Sequence, residues 1–126
     1  MLELFRQWIS RREPWFFENS ILPSILSKIA PIEVFAFSFG PFVFCREKLP
    51  LQTRQHEIIH YHQQLELAFI LQWLLYGYFW INGRFAGLSG SQAYSANPFE
   101  IEAYENDSNI MYLEERPLWA WRKYLK

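Results

Sequence analysis

The chain has few of the residues that place a protein in a class by composition. Its 126 residues include one cysteine, Cys45, so no intrachain disulfide can form and a reduced compartment fits. Cys45 follows Phe42-Val43-Phe44 and reads as a small buried apolar residue, not as a ligand. Charge of either sign is nearly balanced at −1 and the basic residues are scattered, which leaves no electrostatic footprint for nucleic acid. The start, Met1-Leu2-Glu3-Leu4-Phe5-Arg6, has no basic segment followed by an apolar run and a small-residue cleavage site. No secretory signal is expected, and cytoplasmic placement is. A long hydrophobic run is also missing. Leu67–Ile81 is interrupted only by Gln72, but it falls short of the ~20 residues that a spanning helix needs. There is no internal repeat and no low-complexity segment, and the length suits one domain over 1–126 with a modest core.

Aromatic residues are abundant, at 20% of the chain. Some fill the core, but so many in a small domain point to a surface that meets lipid or another protein. Residues 2–12 read as a short helix with Leu2, Phe5 and Ile9 on one face, and Ser20–Ile29 as a second helix. Ile32–Phe39 and Phe42–Arg46 read as strands joined by a Gly40-Pro41 turn, a β-hairpin. A single central helix is expected from about Thr53 to about Ile81, apolar on both faces beyond Leu65. Asn82-Gly83 and Gly87 to Gly90 mark a loop. Asn97-Pro98 caps a last helix running to about Leu113, and Pro117 precedes a tail with Trp119, Trp121 and Tyr124. The fold class expected is α+β.

His56-Glu57-Ile58-Ile59-His60 decides the functional reading. It is the zinc-hydrolase motif H-E-x-x-H. On a helix the i, i+4 spacing turns both imidazoles to one side, where two nitrogens can take adjacent corners of a zinc tetrahedron. Glu57 then stands beside the open corner, placed to take a proton from water. His62 lies roughly 120° around the helix from His56 and reads as a surface histidine. The chain has only three histidines, so a third ligand must be a carboxylate, as in His₂Glu zinc sites. Glu100 and Glu102 are the alternatives, about 200° apart on one helix. Glu100 could instead be the N3 residue of a capping box with Asn97. Gln63 and Gln64 could hydrogen-bond a ligand histidine or substrate, or close a polar patch.

The second motif carries a resemblance. Glu100-Ile101-Glu102-Ala103 resembles the E-x-x-A-D segment that supplies the glutamate ligand in gluzincin metallopeptidases, nearest to the integral-membrane heat-shock and CAAX-processing peptidases. The chain is also similar to small uncharacterised bacterial and phage proteins with H-E-x-x-H-x-x-Q followed by F-E-x-E-A-Y. The resemblance covers roughly Ile32 to Asp107, and only the two short motifs are specific. It implies a zincin-like minimal domain, a hairpin followed by a long H-E-x-x-H helix and a second ligand-bearing helix. It implies His56, His60 and Glu100 as zinc ligands and Glu57 as general base. Where those peptidases carry an aspartate four residues after the ligand glutamate, this chain has Tyr104. Asp107 or Gln63 could then orient a ligand histidine. With no histidine left for an oxyanion, Tyr94, Tyr104 or Arg84 would serve.

The function expected is a small zinc metallopeptidase acting on a peptide or protein, with the hairpin edge aligning the substrate. The alternative is a non-catalytic, metal-stabilised binding module that recruits a protein or membrane through its aromatic helix and tail. Trp73, Tyr76, Tyr78 and Trp80 suit an interface. Peripheral membrane contact, or a homodimer through the 65–81 helix, is expected in place of a span.

Overall fold

The computed structural model describes residues 1–29 and 36–125. It is a mixed α+β arrangement whose described sheet has three strands, β1 (Trp15–Phe17), β2 (Ala36–Phe39) and β3 (Phe42–Cys45). The hairpin is β2 and β3, antiparallel with Phe39 opposite Phe42; the part of its first strand expected at 32–35 lies outside the described residues. Gly40 at the turn has φ of +60°, a conformation that costs a residue with a Cβ about 1 kcal/mol or more. β1 was not visible in the sequence pattern. It pairs parallel to β3, with Trp15 opposite Phe42, so the order is β1-β3-β2 and β2 is an outer strand. Val43 and Cys45 of β3 turn inward onto Leu49, Phe16 and Ala36. On the other face Phe42 and Phe44 stack with Trp15 and Phe17.

Helix α1 (Leu2–Ser10) and helix α2 (Leu22–Ile29) lie where apolar spacing puts them. The single helix expected from Thr53 to Ile81 does not form. Instead α3 (Leu51–Glu66) ends, and α4 (Ile70–Phe85) begins after Ala68 and Phe69, whose φ angles are 54° and 61°. Positive φ strains two residues that carry side chains, and Phe69, with ψ of −64°, sits in a γ-turn closed by the Ile70 N–H donating to the Ala68 carbonyl at 2.6 Å. The break is held by Gln64. Its carbonyl accepts from the Phe69 N–H at 2.7 Å, and its Oε1 accepts from Trp73 Nε1 at 3.0 Å and from the Gly40 N–H at 2.8 Å. Its Nε2 donates to Ser38 Oγ at 2.7 Å, and Phe39 stacks on Trp73 with centroids 4.6 Å apart. One buried glutamine therefore joins the hairpin, the end of α3 and the start of α4.

Helix α4 also runs through Asn82-Gly83, where a loop was expected. Gly83 is there because a Cβ would come 2.9 Å from the Ala93 Cβ of α5 (Gly90–Ala96), so its missing side chain is a helix contact and not a turn. Within the expected 87–90 loop, Ser89 and Gln92 form a capping box that starts α5. Asn97 begins α6 (Pro98–Asn106) as expected, but that helix stops at Asn106 and α7 (Tyr112–Glu115) follows separately. In the tail, Trp121 is interior, packed with Leu67 and Phe99. No helix among the described residues is long and apolar enough to cross a membrane.

A buried ionic cluster locks the chain's C-terminal third onto α3. Arg116 donates from NH1 and NH2 to the two Glu66 oxygens at 2.9 and 2.8 Å, and from Nε to Glu102 Oε2. Tyr112 Oη also donates to Glu102, at 2.8 Å, and the Trp119 N–H to Glu66, at 2.9 Å. The carboxylates are thus fully hydrogen-bonded, the condition under which buried charge is tolerated. Removing the guanidinium would leave two carboxylates in the dry interior. Arg116→Met should lower the unfolding free energy by about 3–5 kcal/mol, read from urea denaturation monitored by tryptophan fluorescence. A loss below about 1 kcal/mol would mean that the cluster is solvated.

Candidate metal centre

Helix α3 supplies His56, Glu57 and His60; α6, packed across it, supplies Glu100. All four are buried. His56 Nε2 and His60 Nε2 lie 3.2 Å apart, and Glu100 Oε1 is 3.1 Å from the first and 3.0 Å from the second. These three residues each offer one donor atom to a common point, as a metal ion requires.

The second layer fixes which nitrogen carries the lone pair. Gln63 Nε2 donates to the Phe99 carbonyl and to Glu102 Oε1, both at 3.0 Å and both acceptors only. Its amide oxygen is therefore the atom 2.8 Å from His60 Nδ1, and that nitrogen must be the donor. His56 Nδ1 donates to Asp107 Oδ2 at 3.1 Å, and Asp107 Oδ1 is held by Gln52 Nε2 at 2.8 Å. In the neutral imidazoles both Nε2 atoms then carry lone pairs, aimed at each other and at a carboxylate oxygen. Three acceptors with no donor among them need positive charge at their centre. A divalent cation satisfies all three.

A proton is the competing way to supply charge. Burial disfavours charge on His60, but the Glu100 carboxylate beside it prevails and pushes the pKa up to about 10. Burial likewise opposes ionisation of Glu100, and His60 and His56 overcome it and hold the carboxyl well below its usual range. Glu57 is raised, chiefly by burial. Its Oε2 is buried without a hydrogen-bond partner among the described residues, a costly state for a carboxylate unless water or an ion's water meets it.

Tyr76, of α4, enters the site without having been singled out for it. Its Oη donates to Glu100 Oε2 at 2.7 Å. Tyr104 packs its ring edge on His56 at 4.3 Å, and its Oη is 3.1 Å from that of Tyr94. Arg84 is not brought to the site; it is exposed on the last turn of α4 over the Trp80 ring. Glu102 is not in the donor cluster either, since it faces Arg116 and Gln63. The capping box that was the alternative for Glu100 does not form, because Asn97 Oδ1 accepts from the Phe99 N–H and Glu100 turns to the histidines. His62 corrects the surface reading: it is 1% exposed. Its Nε2 donates to the Arg12 carbonyl at 2.8 Å, just beyond α1, and burial lowers its pKa to about 4. Compared with known proteins, the chain matches no family model, no curated protein and no solved structure.

Metal and proton compete for His60, and the sign follows from its raised pKa. Below a pKa of about 10 the imidazole holds a proton that an incoming ion must displace. Zinc affinity should rise between about pH 6 and pH 9, with roughly one proton released per ion near pH 8, measured by indicator dye in weak buffer. Without added metal, the His60–Glu100 pair stabilises the fold fully below about pH 6.5, the unfolded histidine value, and this stabilisation is lost as pH rises through about 10. Zinc uptake with no proton release would contradict the assignment of His60.

Proposed function

We propose that this chain is a zinc-dependent hydrolase of the metallopeptidase kind, built on a zincin-like minimal domain and acting on a peptide or protein substrate. One observation carries the reading: three buried acceptors converge on a point, and the neighbouring Glu57 keeps a buried carboxylate oxygen without a partner. A purely structural site needs no such base and fills its fourth corner with protein.

His56, His60 and Glu100 would hold the ion, with Asp107 and Gln63 setting the two imidazole tautomers. Zinc held this way supplies Lewis acidity that polarises a carbonyl and brings the pKa of water toward neutrality. Glu57 takes the proton from the attacking water and returns it to the departing amine. Tyr94 and Tyr104, hydrogen-bonded to each other with Tyr104 against His56, are neutral donors proposed for the developing oxyanion. The outer strand β2 is available to align an extended peptide as an added strand.

Exposed apolar residues on α4 favour a second reading, in which the metal only stabilises a binding module. Leu74 is 66% and Phe85 88% exposed, and Ile70, Leu71, Tyr78 and Ile81 of the same helix are also open. Such a face would recruit a protein partner, a second copy or a membrane surface. Glu57 separates the readings. Glu57→Gln should keep the metal and the melting temperature while peptide hydrolysis falls at least ~10²-fold. A wild-type protein that binds zinc and cleaves nothing in a diverse peptide library would leave the binding module standing.

A further inference from the structure

Tyr76 stands out because nothing in the reaction above uses it, yet three separate contacts clamp it to the helix that carries Glu100. Its Oη donates to Glu100 Oε2 at 2.7 Å. Its ring stacks on Phe99, centroids 6.2 Å apart and planes 13° from parallel. Its carbonyl accepts from Asn97 Nδ2 at 3.1 Å, and Asn97 is the cap of that same helix. The phenol is therefore fixed from both ends of the residue.

The two oxygens of Glu100 are thereby made different. Oε1 lies between His56 Nε2 and His60 Nε2, while Oε2 is engaged by a phenol with nowhere else to turn. We infer that Tyr76 is a positioning residue that restricts Glu100 to single-oxygen coordination and so keeps a corner of the metal free for water. A carboxylate with both oxygens unengaged can close onto a metal through both, and that would fill the position where water must enter. A phenol suits this task. It donates one hydrogen bond and brings no charge to the carboxylate it holds.

The inference rests on the reading of His56, His60 and Glu100 as the ligand set, and the test keeps the two apart. Wild-type protein and Tyr76→Phe are loaded with zinc and examined by X-ray absorption; cobalt-substituted samples are examined by visible spectroscopy. Tyr78→Phe, an exposed tyrosine on the same helix, is the control. The wild type should show about four ligands with one carboxylate oxygen, and Tyr76→Phe about five, with weaker visible cobalt bands. Zinc affinity should fall roughly 10–100-fold or less in Tyr76→Phe, with the ion still bound at stoichiometric loading. Tyr78→Phe should match the wild type. If wild type binds no zinc, the ligand set itself fails. If it binds zinc through both Glu100 oxygens, or if Tyr76→Phe leaves ligand number and cobalt spectrum unchanged, the positioning role is overturned. Should Tyr76→Phe not fold, Tyr76→Leu, which also lacks the hydroxyl, is read by the same spectra with the same two outcomes.

Discussion

Two imidazole nitrogens and a carboxylate oxygen, all within 3.2 Å of one another and out of water, form the constraint on which this structure depends. Acceptors at that distance repel, and the interior screens the repulsion poorly. Only positive charge at the centre makes the arrangement favourable. A single proton on His60 can bridge to Glu100, but it leaves Glu57 Oε2 and the aimed lone pair of His56 to be satisfied by other means. A divalent ion would satisfy both imidazoles and Glu100 at once. The surrounding hydrogen bonds explain why the site does not relax when charge is lacking: Asp107 and Gln63 hold both rings from behind.

The path from fold to site is short and can be followed atom by atom. Arg116 holds Glu102, Glu102 and the Phe99 carbonyl hold the Gln63 amide, and that amide dictates the tautomer of His60. The cluster that secures the C-terminal third of the chain is therefore also what orients a metal-facing histidine. The spacing of the two glutamates makes this possible. Residues two apart on α6 lie about 200° apart, so Glu100 can face the histidines while Glu102 faces the arginine, and neither can do the other's work.

Much of the site was legible because its residues are close in sequence or chemically unusual. His56 and His60 follow from helical spacing, and Asp107 and Gln63 were already the candidates for orienting them. The choice of Glu100 over Glu102 in the donor cluster needed the packing of α6 on α3, although each helix could be read separately. Tyr76 was illegible for a geometric reason. On one continuous helix it would lie about 24 Å along the axis from His60, out of reach of the site. The two residues of positive φ, Ala68 and Phe69, redirect α4 so that its phenol meets Glu100. Neither residue is a glycine or an asparagine, so no local signal announced the break. Its cause is tertiary, the several hydrogen bonds that converge on Gln64.

The other misreadings share one source, a local signal overruled by what packs against it. Gly83 resembled a turn residue because glycine commonly is one; here it is the flat spot against which Ala93 of α5 rests. His62 resembled a surface residue because its wheel position turns away from the metal face. It is covered by the segment after α1, whose Arg12 carbonyl accepts its proton. Ser89 and Gln92 show the converse, a capping box written in the sequence beside glycines that by themselves signal a loop. The apolar length of α4 follows from the same geometry. Once the break turns the helix, the side carrying Tyr76 and Phe79 is covered by Phe99 and Trp121, Gly83 rests on Ala93 of α5, and Trp73 stacks on Phe39. Leu74, Tyr78 and Ile81 are left facing outward. The redirection that brings Tyr76 to the candidate metal centre is thus also what exposes the apolar face, and any partner that covers that face would bear on the helix holding Tyr76 against Glu100.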